Sequence, residues 1–334
     1  MSPSRRARSI AERARRIFPI CVAGSVARGR LGPLSSDKLR NAQRVNMNLD
    51  SEAIFLHGPQ RPAIGLVLDS PHSGVEFPAD FDAAVSEFDL REGEDCFVDQ
   101  LYLPAIESGI PLLAARCPRT YLDPNRHRGD IDLELLDGGH WPHEYVPSGK
   151  ARIGKALIWR TLDDGRDIYR RLLRVDEVQR RIERFHAPYH RALVDLLDEG
   201  QATCGAVYHL NCHSMNSVAG KMGEGAFGTE RADFVLGDRD GTTCDPEFTE
   251  FVRATLEALG YGVKVNDPYK GVELVRAYSD PARGRHSLQV EINKRLYMDE
   301  DSRRPHEGFA NLQRDLLRMI EAICDYLAHQ TRRA

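Results

Sequence analysis

Leu66-Val67-Leu68-Asp69-Ser70-Pro71-His72-Ser73 and Val207-Tyr208-His209-Leu210-Asn211-Cys212-His213-Ser214 are two short apolar runs that end on the same His-Ser pair. Brief apolar stretches of this length read as strands buried inside an α/β sheet, and ligands gather just beyond the carboxyl ends of such strands. Two imidazoles delivered there converge on a space that suits one metal ion. Working outward, strand and helix patterns alternate from Ser51 onward. Residues 63–70, 110–115, 119–123, 206–211, 234–237, 263–266 and 287–292 read as strands. Helical patterns fill 95–107, 167–197 with a break near Pro188, 246–259 and 306–327. The last of these spaces Phe309, Leu312, Leu316, Ile320, Ile323 and Leu327 by three and four residues, an apolar stripe wide enough to cover one sheet face. No Gly/Ser/Pro linker and no repeat divides this region. The expected fold is therefore α/β, a single domain over residues 51–334 with a mixed central β-sheet between helical layers.

Charge and composition narrow the function classes. The 334 residues balance 46 basic against 50 acidic side chains, so the chain has no global attraction to nucleic acid or anionic lipid. No run approaches the roughly 18 consecutive apolar residues of a membrane span. Seven scattered cysteines, odd in number and without Cys-x-x-Cys spacing, fit reduced thiols of a cytoplasmic protein and exclude a cysteine zinc site. Residues 1–50 differ from the rest: arginines recur, and Glu12 and Asp37 are the sole acids before Met47. This stretch is expected to be a disordered basic leader, and Met47 is a candidate first residue. Pro19, Gly24 and Ser25 interrupt the apolar segment between Ile17 and Ala27 that otherwise imitates a secretory signal. Without interleaved aromatics, the arginines read as a solvated tail and not as a nucleic-acid arm. The expected partner is a small molecule, and the expected assembly is a monomer or homodimer.

The chemistry concentrates at strand ends. In Ser70-Pro71-His72-Ser73-Gly74 the proline stops the sheet ladder and the glycine permits a tight turn, so His72 is presented at the edge of the core. His213 repeats the arrangement, and His209 shares its strand face, as a supporting or core residue. A catalytic metal site needs a third protein ligand, and the spacing leaves Glu76, Glu92, Glu94, Asp95 and Asp99 open as donors. Asp95 has an alternative reading as the N-cap of the following helix. His140 and His143, in the turn-rich segment 129–165, read as surface or lid residues. Asn125-Arg126, after an apolar run, suits a carboxylate clamp because guanidinium donates two parallel hydrogen bonds. Gln289-Val290-Glu291-Ile292 sets a glutamate inside an apolar strand, where a carboxylate rarely lies without a task, so Glu291 is the general-base candidate.

Taken together, these segments resemble the N-formylglutamate amidohydrolases, a family related in fold to the carboxypeptidase and aspartoacylase zinc hydrolases. The resemblance rests on Ser70-Pro71-His72-Ser73-Gly74, Asp95 with Leu101-Tyr102, Arg119, Tyr121-Leu122-Asp123-Pro124-Asn125-Arg126 and Pro188-Tyr189-His190. It continues through Cys212-His213-Ser214-Met215, the turn from Gly237 to Gly241, Tyr269-Lys270-Gly271, and the stretch from Gly284 to Glu300. It implies a zinc-exopeptidase-like fold and a Zn²⁺ site, open to another divalent metal, formed by His72, Asp95 and His213. It further implies Glu291 as the catalytic glutamate, Arg119 as the residue that polarises the scissile carbonyl, and Asn125 with Arg126 as the substrate-carboxylate clamp. Arg276 and His286 complete the substrate-binding candidates. The implied reaction is hydrolysis of N-formyl-L-glutamate by zinc-activated water. Another N-acyl amino acid, a small peptide, or ligand binding without turnover are the competing readings. Two departures stand out: Asn211 replaces the family's usual aspartate, and Val272 replaces a second glycine after Lys270-Gly271.

Overall fold

The structure, a computed structural model, describes residues 51–331. The basic leader expected over residues 1–50 lies outside the described residues. In chain order the elements are β1 (Ile54–His57), β2 (Leu66–Ser70), α1 (Glu87–Leu90), α2 (Val98–Tyr102), β3 (Leu112–Ala115), α3 (Val175–Arg181), α4 (Ala187–Cys204) and β4 (Val207–Met215). There follow β5 (Phe234–Gly237), α5 (Pro246–Ala258), β6 (Val263–Val265), α6 (Glu273–Tyr278), β7 (Arg285–Asn293), the small pair β8 (Met298–Asp299) and β9 (Arg304–Pro305), and α7 (Gly308–Thr331).

Seven strands form one mixed sheet in the order β1-β3-β2-β4-β7-β5-β6. Strands β3, β2, β4 and β7 are mutually parallel, whereas β1 runs antiparallel to β3, and β5, with β6 parallel to it, runs antiparallel to β7. Alternate residues along each strand feed two cores. Leu66, Leu68, Leu210, Leu288 and Val290 pack with Phe248 and Val252 of α5 and with Leu312, Leu316, Ile320, Ile323 and Leu327 of α7. Val67, Leu113 and Val207 face the other way, onto Leu193, Leu196 and Leu197 of α4. Burial of each such side chain contributes roughly 1.5–3 kcal/mol, which is why the long amphipathic helices settle on these faces.

The topology itself creates a crevice. From β2 the chain passes to β3 on one side of the sheet, and from β4 it passes toward β5 and β7 on the other. Carboxyl ends of neighbouring strands whose connections diverge in this way leave an open pocket between them. His72 and His213 stand at that place.

Four local expectations change. Residues 119–123 form turns and no strand: Pro118 and Pro124 flank them, and the N–H groups of Tyr121 and Leu122 donate to Pro118 O at 2.9 and 3.3 Å. Strand β1 was not visible in the sequence, being a four-residue edge strand with only alternate residues buried. The helix expected from Asp167 begins at Val175, and it runs through a π turn (Ile182–His186) into α4, whose first turn holds Pro188. The extra residue of that turn accommodates a proline that cannot donate to the helix ladder. Segment 129–165 is irregular as expected, but Leu157, Ile158, Trp159 and Leu162 are buried, so it is packed wall as much as loop.

Candidate active site

The crevice is a cavity of about 540 Å³ whose lining includes His72, Asp95, Arg119, Asn125, Arg126, His213, Gln289 and Glu291. His72 reaches it from the loop after β2, and Gly74 closes that loop. A Cβ on Gly74 would fall 2.2 Å from Cys117 O, so only glycine lets the backbone pass this close. The serine of the first His-Ser pair stitches the third donor into place. Asp95 N donates to His72 O at 3.0 Å, Ser73 Oγ donates to Asp95 O at 3.2 Å, and Asp99 N donates back to Ser73 Oγ at 3.2 Å. Asp95 is therefore not a helix cap: α2 starts at Val98, behind Phe97 in the left-handed region at φ 63°. Its carboxylate is free to turn inward, where Oδ2 lies 3.2 Å from His72 Nδ1 and 2.9 Å from His213 Nδ1. One donor atom from each of His72, Asp95 and His213 lies within 4.8 Å of the others. Burial opposes charge on Asp95, yet hydrogen bonds from His213 and His72 hold its carboxyl far below the usual range.

Both imidazoles are fixed from behind. His72 Nε2 meets Asp123 Oδ1 at 2.7 Å, and His213 Nε2 meets Asn211 Oδ1 at 2.7 Å. With the proton on Nε2, given to these acceptors, each imidazole has its Nδ1 lone pair directed at the space beside Asp95; His213 Nε2 also lies 3.1 Å from Asn125 Nδ2. The support of His213 extends one layer further. Asn211 Nδ2 donates to Asp69 Oδ1 at 2.8 Å, the same oxygen receives His209 Nε2 at 2.8 Å, and Tyr189 Oη donates to Asp69 Oδ2 at 2.7 Å. Burial raises the Asp69 carboxyl, but His209, Asn211 and Tyr189 together bring it below its ordinary value. The parallel register of β4 and β7 sets Asn211 beside Gln289 and His213 beside Glu291, so these groups share one sheet face.

Asp123 organises the other wall. Beyond His72, it accepts Asn125 N at 2.8 Å and Arg119 Nη2 and Nε at 2.7 and 3.1 Å. Burial works against its charge, and Arg119 and His72 hold its carboxyl well below the usual carboxylate range. Arg119 also lies over the Trp159 ring, with Cζ 5.2 Å from the centroid. Asn125 Oδ1 accepts Leu274 N at 2.9 Å, which ties the clamp segment to α6. Arg126 is half-buried, and its Nε, itself shielded from solvent, has no hydrogen-bond partner, with Asp123 Oδ2 3.7 Å away. An orphaned buried donor on a guanidinium marks a place for an anionic ligand. The loop carrying Arg126 is gripped from the π turn and the first turn of α4: His186 Nε2 donates to Arg126 O at 2.9 Å and His190 Nε2 to Pro124 O at 2.8 Å.

Glu291, near the end of β7, receives Gln289 Nε2 on Oε1 at 2.8 Å. Burial raises its carboxyl to about 7, in the range a general base requires at neutral pH.

Other candidates lie elsewhere. Arg276 turns to solvent and donates to Glu273 at 2.8 and 3.0 Å, outside the cavity wall, because α6 points that face away from the crevice. His286 stands at the amino end of β7, stacked on Tyr208 with centroids 4.4 Å apart, and its Nδ1 accepts Asp245 N. Most of strand β7 separates it from Glu291, and neither Arg276 nor His286 lines the cavity. Glu76 is exposed and paired with Arg116 at 2.9 Å. Glu94 pairs with Arg91, and His140 and His143 are exposed. Asp69, Asp123 and Gln289 had been assigned no role. The signal that singled out Glu291, a carboxylate inside an apolar run, was equally present in Leu66-Val67-Leu68-Asp69 and Tyr121-Leu122-Asp123.

The sequence pattern of the N-formylglutamate amidohydrolase family matches residues 64–298, well over half of the chain and all of the residues converging on the cavity. The chain belongs to this family. It is 29% identical over 248 residues to N-formylglutamate deformylase of Pseudomonas aeruginosa, covering 73% of this chain and 85% of that protein. The Pseudomonas putida N-formylglutamate deformylase is 30% identical over 239 residues, with 70% and 82% covered. The crystal structure of N-formylglutamate amidohydrolase from Ralstonia eutropha JMP134 superposes with a TM-score of 0.77 at 45% identity, covering 83% of this chain and 99% of that one. The fold expected from the family resemblance is thus the fold observed.

Within this amidohydrolase family frame the two departures have structural accounts. Asn211 offers His213 a carbonyl oxygen in place of a carboxylate, and its amide group spends its own donor on Asp69. Gly271 needs to be glycine, with φ 99° and a Cβ position 2.6 Å from Val275 Cγ2, whereas Val272 has φ −116° and tolerates a side chain at the cavity rim. Among the described residues no helix is long and apolar enough to cross a membrane, and Cys96, Cys117, Cys204, Cys212, Cys244 and Cys324 are free thiols.

Proposed function

We propose that this chain hydrolyses N-formyl-L-glutamate to formate and glutamate. The observation that carries the reading is the convergence, in one cavity, of the His72-Asp95-His213 donor set, the buried Glu291, whose carboxyl burial raises to about 7, and Arg126 with a buried, orphaned Nε. The names of the relatives supply the acyl group and the amino acid.

The donor chemistry fits a divalent metal. Two imidazoles and one carboxylate, each imidazole backed by an acceptor on its far nitrogen, are the composition of a catalytic zinc site, and Zn²⁺ is the ion proposed. When bound, such an ion supplies Lewis acidity toward the substrate carbonyl and toward water. The rest falls to the protein. Arg126, with Asn125 fixing its loop, holds a substrate carboxylate, which sets the formyl amide at a constant distance from Glu291. Glu291 takes a proton from the attacking water as its oxygen bonds to the formyl carbon. Arg119, held by Asp123, stabilises negative charge growing on the carbonyl oxygen, an interaction whose loss typically costs on the order of 3 kcal/mol. Glu291 returns the proton to the leaving nitrogen as the C–N bond breaks, yielding formate and free amine.

The test compares formate release from N-formylglutamate with acetate and succinate release from N-acetyl- and N-succinylglutamate, using metal-loaded protein. The proposal expects kcat/KM for the formyl compound to exceed the other two by at least about tenfold. Preference for a larger acyl group would replace it with a different N-acyl amidohydrolase.

A further inference from the structure

Beyond Arg119 and Arg126, the cavity wall holds three buried cations that the reaction just described does not use, Lys155, Arg231 and Lys294, and two of them stand apart. Arg231, 8% exposed, donates to the backbone carbonyls of Asn216 and Glu224 at 3.0 and 3.1 Å, and its Nε is buried without a partner. Lys294, 7% exposed, donates from Nζ to Asn216 Oδ1 at 3.1 Å. Both line the cavity. They adjoin at the carboxyl end of β7, where Lys294 follows Asn293 and Asn293 Nδ2 donates to Arg231 O at 3.2 Å.

Their neutralisation differs from that of the other cavity cations. Arg119 meets Asp123 at 2.7 Å, Lys150 meets Glu224 at 2.8 Å, Lys155 meets Asp163 at 2.6 Å and Lys270 meets Asp240 at 2.9 Å. Arg231 and Lys294 form no ion pair with a carboxylate among the described residues; their hydrogen bonds go to neutral oxygens, and Arg231 lies over the neutral Tyr269 ring at 5.2 Å. Arg231 senses Glu291 electrostatically without contacting it, and Glu291 is already engaged by Gln289. Burying two positive charges side by side with no counter-charge is costly, and such groups are retained where an anionic ligand completes them.

Position adds to the argument. In the sheet order β3-β2-β4-β7-β5, the strands that carry His72 and His213 to the crevice lie between the segment of Asp123 and Arg126, which follows β3, and the place where β7 runs out into Lys294 beside the start of β5, which Arg231 precedes. The cavity thus presents cationic side chains on each side of the His72-Asp95-His213 cluster.

We infer that Arg231 and Lys294 form a second carboxylate site, which receives the side-chain carboxylate of an acidic amino acid whose α-carboxylate is held by Arg126. This rests on the activity proposed above and explains why a glutamate derivative, and not a neutral one, is the substrate. A cavity built this way discriminates by leaving two buried cations unpaired when the ligand lacks its second charge.

N-formylglutamine, nearly isosteric with N-formylglutamate but neutral at the side chain, is the probe. Wild-type metal-loaded protein should favour N-formylglutamate in kcat/KM. In Lys294→Gln and Arg231→Gln the ratio of the two kcat/KM values should fall by about 10- to 100-fold, the range for losing a charge-assisted hydrogen bond in a buried site. The loss should appear mainly in KM for the dicarboxylate. Because Arg231 also braces residues 216 and 224, Lys294→Gln carries the decision if Arg231→Gln unfolds at a lower temperature. A wild-type ratio near one, or a ratio unchanged in Lys294→Gln, overturns the inference. If neither compound is hydrolysed, the activity reading fails alone, and calorimetric binding of the two compounds to wild type and Lys294→Gln decides the second site by the same ratio.

Discussion

Asp123→Asn tests how far the site depends on a residue that touches neither metal nor substrate. The carboxylate accepts from His72 at 2.7 Å, from Asn125 N at 2.8 Å and from Arg119 at 2.7 and 3.1 Å, and it is fully buried. The amide variant preserves volume and leaves Oδ1 to accept from His72 and Asn125. It replaces Oδ2, however, with an NH₂ group facing the Arg119 donors, and it strips the counter-charge from Arg119 and Arg126. Removing one partner of a buried ion pair costs about 3–5 kcal/mol. Arg119 keeps some exposure and can relax outward, so the lower end, about 3 kcal/mol, is expected. For a domain of this size, at about 2.1 cal/mol/K of unfolding entropy per residue, that corresponds to a fall in Tm of roughly 5 °C. Loss of the carboxylate behind a ligand imidazole should also weaken zinc binding by about 10- to 100-fold. Calorimetric unfolding and competition with a chromophoric chelator measure the two quantities separately. A variant that keeps Tm within about 1 °C and zinc affinity within about twofold would refute the claim that Asp123 organises this wall.

Three further outcomes follow from the same geometry. Glu291→Gln should retain metal while kcat falls by about 10²- to 10⁴-fold, as metal analysis and formate release will read; full turnover in the variant removes Glu291 as the base. Arg126→Ala should lower kcat/KM for N-formylglutamate by about 10- to 100-fold with a raised KM, because a buried donor is lost where the substrate carboxylate binds; an unchanged KM contradicts the clamp. Asp69 has a folded-state carboxyl held below its ordinary value of about 4, so the stability it contributes is complete above that pH and is lost as pH falls through the lower folded value. Asp69→Asn should therefore be less stable than wild type in urea at pH 7, with the gap narrowing below about pH 4, and a gap constant from pH 7 to pH 3 would be inconsistent with a charged Asp69.

The parts legible in the sequence were those written in local patterns. Leu66-Val67-Leu68 of β2 is an unbroken apolar run because both of its faces are buried, β4 and β7 set apolar residues at alternate positions among buried polar ones, and α7 shows its stripe because one face alone is buried. The two histidines and Glu291 were visible as polar residues placed where such runs end. What escaped detection depends on contacts distant in the chain. Asp123 meets a histidine 51 positions earlier, Asp69 meets residues 120 to 142 positions later, and neither spacing follows from any helix or strand period. His286 was drawn in by its nearness to Glu291 in sequence, yet a strand carries it to the opposite end of the sheet from Glu291. The segment at 119–123 looked like a strand by composition, and its prolines and local hydrogen bonds turned it into the loop that carries the clamp.

The central claim is that His72, Asp95 and His213 form the metal site on which hydrolysis depends. Metal content and formate release, measured together on wild type, Asp95→Ala and Glu76→Ala, test it most directly. The account predicts about one divalent ion per chain and turnover in wild type and Glu76→Ala, with both lost in Asp95→Ala. Retention of metal and turnover by Asp95→Ala, with their loss in Glu76→Ala, would contradict it.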